Sequence, residues 1–159
     1  MKRVNMAETS PNTTIKVITD RFGEITVSED QVVTLPNGMV GFPELHRYVL
    51  LQHREGSPFH WLQSLERREL AFVMVSPLLF DSQYQVSLGN TEVKLLNLED
   101  PKTIQVWTVV TIPHGRPEKM TANLKAPVII NLANRLAAQI ILDDPKYPLR
   151  QPLPDHADT

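Results

Sequence analysis

The chain has 159 residues, of which 42% are hydrophobic and 21% charged, with no cysteine and a formal net charge of −2. Its length fits one domain, large enough to bury about two-thirds of its unfolded surface. The composition excludes disulfides, thiolate zinc sites and cysteine nucleophiles, and no apolar run approaches the ~20 residues that a membrane helix needs.

Residues 1–13 hold two basic side chains but no apolar run like that of a secretory signal, and read as a disordered tail. Ile15 to Thr19 alternates in polarity. Asp20-Arg21-Phe22-Gly23 then turns the chain into a second short strand, Glu24 to Val27. Val32 to Leu35 is a third strand, stopped by Pro36-Asn37-Gly38, a strong turn signal. Pro43-Glu44-Leu45 is compatible with one helical turn. Tyr48 to Leu51 and Phe59 to Gln63 form two strands joined by the turn Glu55-Gly56-Ser57-Pro58. Leu70 to Val75 is a continuous apolar run of strand length, expected to be buried on both faces. Pro77 to Phe80 is a turn or short helix. Tyr84, Val86 and Leu88 alternate with polar residues as in a half-buried strand.

One segment has a helical character: Asn90 or Thr91 can cap it, Glu92 suits its positive end, and Val93 and Leu96 share a side. Asp100-Pro101 limits it. Ile104 to Ile112 follows as a long strand. From Ala122 to Leu132 every even-numbered side chain is apolar, while Thr121, Asn123, Lys125 and Asn131 occupy odd positions. Side chains alternate across a strand, so this pattern predicts one face on a core and one in water, with Ile130 inward and Asn131 outward. Pro127 has no N–H for a ladder and marks a bulge or a strand edge. The alternation returns at Leu136, Ala138, Ile140 and Leu142, which predicts a tight hairpin at Asn134-Arg135 and a long two-stranded ribbon. A proline-rich end leads into a flexible tail, 154–159. Nine or ten short strands at this spacing predict a mainly β domain over residues 14–153, a sandwich or a barrel, with one or two short helices.

No catalytic, cofactor or metal constellation is visible. Histidines 46, 53, 60, 114 and 156 show no metal-ligand spacing, though His53 and His60 can approach each other across a hairpin. No serine sits in a glycine elbow, and Gly38 to Gly41 lacks the lysine and helix of a phosphate loop. Asp143-Asp144 ahead of Pro145 reads as a strand-ending turn. The first 21 residues carry +2, leaving −4 on the remainder. A mildly acidic body argues against direct nucleic-acid binding, which needs clustered Lys and Arg. It suits a basic protein partner, and five loop carboxylates are the candidates for that contact: Glu66, Glu69, Asp81, Glu99 and Asp100. Trp61, Phe80 and Trp107 are candidate anchors, although aromatic residues in strands usually belong to a core.

Five blocks in order and spacing carry a resemblance: RFGEITV from Arg21, GFPELHRYVLL from Gly41, FHWLQSLERRELAFVMVSPLLF from Phe59, WTVVTIP from Trp107, and MTANLKAPVIIN with QIILDDPKYPLR at Met120 and Gln139. Together they resemble the FliW family of flagellar assembly factors, over roughly Ile15 to Leu153. The resemblance implies a compact antiparallel β-barrel-like fold and a cytoplasmic, non-enzymatic protein without cofactor, monomeric before partner binding. It further implies two protein partners, flagellin and the translational repressor CsrA. Newly made flagellin occupies the factor and leaves CsrA free to repress flagellin synthesis; export of flagellin returns the factor to CsrA. The chain departs from the family's usual pattern in its N-terminal tail and in the short Asn134-Arg135 turn. Two other readings stay open on the residues alone: an enzyme with a small-molecule pocket in the barrel, and a purely structural assembly protein.

Overall fold

The computed structural model describes residues 13–154, so all but Thr13 and Pro154 of the two expected tails lie outside it. Among the described residues the strands are β1 (Thr14–Thr19), β2 (Gly23–Ser28), β3 (Val32–Thr34), β4 (Arg47–Gln52), β5 (His60–Ser64), β6 (Ala71–Val75), β7 (Ile104–Thr111), β8 (Thr121–Ala122), β9 (Val128–Asn131), β10 (Leu136–Gln139) and β11 (Gln151–Pro152). One α-helix, α1 (Asn90–Leu95), lies in the connection from β6 to β7. No described helix is long and apolar enough to cross a membrane.

Strands β3 to β7 run as an antiparallel meander, β7 pairs with β9, and β9 pairs with β10. β10 then returns to β3 through one parallel pairing, Leu136 opposite Thr34, and closes a seven-stranded barrel. Closure leaves these seven strands without the long unpaired edges that invite aggregation. The expected antiparallel barrel is therefore present, with this one parallel seam.

The barrel interior is filled by side chains, among them Val33, Tyr48, Leu62, Met74, Trp107, Val128, Ile130 and Ala137. The outside is covered on three sides. The β1–β2 hairpin lays Val17 and Val27 against Val49 of β4. α1 and its flanks bring Leu96 onto Ile129 and Ala138. Phe59, Tyr84, Leu124 and Tyr147 form a further cluster with Val75 and Val110.

Strand β9 departs from the alternation argument. Its four residues are all buried, Asn131 included, because α1 and the β6–β7 connection cover the face expected in water. Leu132, expected inside, is 44% exposed in the turn. The ribbon is also interrupted. β8 and β9 both pair with β7, but residues 123–127 on their side oppose only Thr108 and Val109. Asn123 stabilises this bulge, its Oδ1 accepting the N–H groups of Lys125 at 3.1 Å and Ala126 at 3.0 Å. Pro127 closes it, as a residue without an N–H should.

Other expectations also shift. Tyr84 to Leu88 is not a strand, since no neighbour offers it a ladder; the Tyr84 hydroxyl instead donates to the Leu124 carbonyl at 2.7 Å. Pro43 to Leu45 is a turn rather than helical. The α1 cap is Gly89, whose N–H donates to the Glu92 carboxylate at 2.7 Å. In the β9–β10 turn Arg135 takes a left-handed φ of 64°.

Asn131 holds this turn to the helix. Its Nδ2 donates to the Leu96 carbonyl at 3.0 Å, while its Oδ1 accepts from Thr103 Oγ1 at 2.7 Å and from the Ala133 N–H at 3.1 Å. Asn134 Nδ2 donates to the same Leu96 carbonyl at 3.0 Å. A buried amide so fully used makes Asn131→Ala costly rather than neutral. The expected loss is about 2–3 kcal/mol, from buried groups left without a partner. Urea unfolding of the variant tests this, and a loss below about 0.5 kcal/mol would mean that solvent replaces the amide.

Candidate partner-binding surfaces

The β5–β6 turn sits at the end of the barrel where β4 begins, because Ser64 pairs with Tyr48. Ser64 Oγ shapes this turn by accepting the N–H groups of Glu66 at 3.1 Å and Arg67 at 2.9 Å. One Glu66 carboxylate oxygen accepts from the backbone N–H of His46 at 2.6 Å and of Arg47 at 3.1 Å. Burial alone would raise its pKa, but these two donors, with the charges of His46 and Arg47, hold it below the ordinary carboxylate value. Glu66 thus clips the β3–β4 loop to the turn, while its residue surface stays exposed.

Around it lies a lattice of exposed charge. Arg67 reaches Glu44 at 3.6 Å and Glu69 at 4.0 Å, Arg68 meets Asp20 at 2.6 Å, and Arg47 meets Glu29 at 3.4 Å. Five carboxylates, counting Glu66, here stand against four guanidinium groups, since Arg21 shares a cleft with Asp20, Arg68 and Glu69. Exposed pairs of this kind contribute at most about 1 kcal/mol each to stability. Their excess negative charge is felt beneath the surface. Burial first, then Glu66 and Glu44, push the Tyr48 hydroxyl up to about 12 against the opposing pull of Arg67.

The other candidates lie elsewhere. β6 pairs with β7 so that Val73 faces Val110, which places the start of β7 at the opposite end of the barrel from the β5–β6 turn. Glu99 and Asp100 lead into β7 through the turn Pro101–Thr103 and line a cleft of about 260 Å³ with Thr103, Asn131 and Asn134. Asp100 caps the following turn, accepting the Lys102 N–H at 2.9 Å. Asp81 forms a local turn with the Gln83 N–H at 2.9 Å. The structure therefore brings Glu66 and Glu69 together, and separately Glu99 and Asp100, but does not gather the five into one face. Sequence order alone carries no signal for this division; the strand register decides it.

Trp107 is a core residue, 7% exposed. Trp61 is half-buried beside the hairpin, with the Arg21 guanidinium 4.2 Å from its ring centre and its Nε1 donating to His53 Nδ1 at 3.1 Å. His53 and His60 do not meet. His60, next to Trp61 on the strand, projects to the other face, where its ring lies 4.5 Å from Trp107. Among the described residues no three His, Asp or Glu side chains could hold a metal ion.

Burial of the ring, whose Nδ1 finds no hydrogen-bond partner, lowers the His60 pKa. The neutral ring is thus favoured in the folded state, and below its ordinary value of 6.5 the unfolded chain binds the proton more readily. Stability contributed by His60 is full above that value and is lost as pH falls from it toward the folded pKa. His60→Gln is expected to flatten the slope of unfolding free energy against pH in this window; an unchanged slope would assign it to other groups.

A second surface feature is a groove of about 590 Å³ between α1 and the segment following β10, lined by Asn37, Gly38, Glu92, Leu95, Ile141 and Asp143 among others.

Comparison with known proteins matches this architecture. The model of the family described as FliW protein matches residues 16–153. The flagellar assembly factor FliW of Natranaerobius thermophilus is 39% identical over 139 residues, covering 87% of this chain and 92% of that protein. That of Ruminiclostridium cellulolyticum is 40% identical over 140 residues, covering 87% and 94%. A crystal structure of the flagellar assembly factor FliW superposes with a TM-score of 0.80 at 29% identity, covering 89% of this chain and 99% of that one. These relatives are named as assembly factors rather than as enzymes. On the family match, the identities and the shared barrel, the chain belongs to the FliW family of flagellar assembly factors.

Proposed function

We propose that the protein is a cytoplasmic partner-switching factor, which binds flagellin when it is abundant and otherwise binds CsrA and relieves its repression of flagellin synthesis. The observation that carries this reading is family membership across residues 16–153. Mass action between competing protein partners suffices for the switch, without catalysis or cofactor. The barrel interior, packed with side chains such as Leu62, Met74 and Ile130, favours a surface-acting role over a pocket enzyme.

Surface charge supplies an electrostatic basis for antagonism of an RNA-binding partner. A docked body with excess carboxylate repels phosphate within a Debye length of ~8 Å at physiological salt. Since Glu66 and Glu69 lie at the opposite end of the barrel from Glu99 and Asp100, a docked partner has only one of these pairs beside its RNA site. Neutralising Glu66 and Glu69, or separately Asp81, Glu99 and Asp100, is therefore expected to weaken RNA release from CsrA in one case and not the other. The effect should be larger at low salt than at high salt. Titrating labelled RNA off CsrA with wild-type and neutralised protein measures it. Full RNA release at low salt with all five neutralised would remove the electrostatic mechanism. Failure of the wild type to bind CsrA would leave only the flagellin-binding half of the reading.

A further inference from the structure

Beyond Gln139 the chain keeps a strand-like course with only one side paired. The N–H groups of Ile140 and Leu142 donate to the carbonyls of Pro127 at 3.0 Å and Lys125 at 2.7 Å. Hydrogen bonding alternates along an extended chain, so the backbone groups of Ile141 and Asp143 face the other way. Among the described residues no backbone group meets them.

The reason lies in β3. Its Thr34 N–H bonds the Arg135 carbonyl at 2.9 Å, and the next donor in a parallel ladder belongs to the residue two further on. That residue is Pro36, which has no N–H. Leu35 meanwhile turns toward β4, its N–H donating to the His46 carbonyl at 2.7 Å. The barrel therefore stops pairing at this seam and leaves an open strand edge along the groove of about 590 Å³.

Three further observations describe what fits there. Ile141 is 68% exposed and Val40 62% exposed, and both adjoin Gln139, whose Oε1 accepts the Val40 N–H at 2.8 Å. Glu92, Asp143 and Asp144 line the groove, and no lysine or arginine does. Lys146 offsets Asp144, at 3.9 Å, and Lys125 Nζ reaches the Leu142 carbonyl at 3.3 Å from the paired side, so the three carboxylates still outnumber the two ammonium groups. The groove thus combines unpaired backbone, exposed apolar side chains and surplus negative charge.

We propose that this edge is a docking site for an extended, lysine- or arginine-bearing segment of a partner protein, which adds a strand alongside Ile141 and Asp143. Main-chain hydrogen bonds supply the attachment, Ile141 and Val40 contact alternate apolar side chains, and the carboxylates select basic flanks. The inference is independent of which partners the family reading names.

A fluorescent peptide alternating valine and threonine with lysine at each end is the probe, read by anisotropy and by amide hydrogen exchange. Binding is expected to protect the Ile141 and Asp143 amides. A glutamate-flanked peptide of the same core should bind more weakly, and the gap should narrow with salt. Ile141→Pro removes an edge donor that no described bond uses, so affinity should fall about tenfold at an unchanged thermal midpoint. Should that variant lose stability, the same peptide with alternate amides N-methylated tests the edge on the wild-type protein and is expected not to bind. Equal binding of the methylated peptide, protection confined to other strands, or no preference for lysine over glutamate would each overturn the proposal. Self-association of the wild type that Ile141→Pro abolishes would also overturn it, assigning the edge to a second copy of the chain.

Discussion

Ile130→Ala is expected to destabilise the protein by about 2–5 kcal/mol, the sum of lost burial and a cavity that the surrounding barrel cannot collapse. Ile130 is 1% exposed and shares the barrel interior with Trp107, Val128 and Ala137. Its strand is held on both sides, by β7 and by β10, which limits relaxation. Against a typical domain stability of about 5–15 kcal/mol this is a large fraction. Ile129→Ala should cost a similar amount through the cluster beneath α1, whereas Leu132→Ala, in the exposed turn, should cost little. Urea midpoints at constant slope rank the three. A loss at Leu132 matching that at Ile130 would contradict the observed strand phase.

Gly38→Ala is expected to cost a comparable amount, about 2–5 kcal/mol, for a different reason. Gly38 has a φ of 68°, where an L side chain is strained. An added Cβ would also meet backbone, with the Pro43 Cα at 2.8 Å and the Phe42 carbonyl oxygen closer still. Neither can move cheaply, because the Phe42 N–H bonds the Met39 carbonyl at 2.8 Å and Met39 fills the barrel interior. Gly41 is the control: its φ is 90°, but its Cβ would meet nothing. Gly41→Ala should therefore show only the conformational penalty, about 1–2 kcal/mol. Equal thermal shifts in the two variants would mean that the contact with Phe42 and Pro43 relaxes freely.

Most strands were legible because each has a local signature. The hairpin of β1 and β2, the turn at Pro36-Asn37-Gly38 and the apolar run into β6 all depend on neighbouring residues. β9 differs from its pattern on one face because alternation reports one buried side and is blind to a helix arriving from elsewhere to cover the other. Alternation points Asn131 to water, whereas its role depends on Leu96 and Thr103, distant in sequence. Tyr84 to Leu88 has a strand's pattern without a strand's neighbour, which only the topology can deny it. The same holds for the surface. Each of Glu66, Glu69, Asp81, Glu99 and Asp100 was visible as a loop carboxylate, but which of them share an end of the barrel is fixed by register across several strands.

The parallel seam between β3 and β10 has a consequence for folding order. Thr34 and Leu136 stand about a hundred residues apart, so joining them closes a long loop whose entropy must be overcome before the contact stabilises anything. The meander from β3 to β7 consists of near-neighbour hairpins and can assemble first. Until the β9–β10 hairpin has been synthesised and docked, that meander is an open sheet with two bare edges, prone to pair with other chains. Vulnerability to aggregation is thus concentrated in the interval before ring closure, and mutations that loosen the β9–β10 turn lengthen that interval even where they barely change the finished fold.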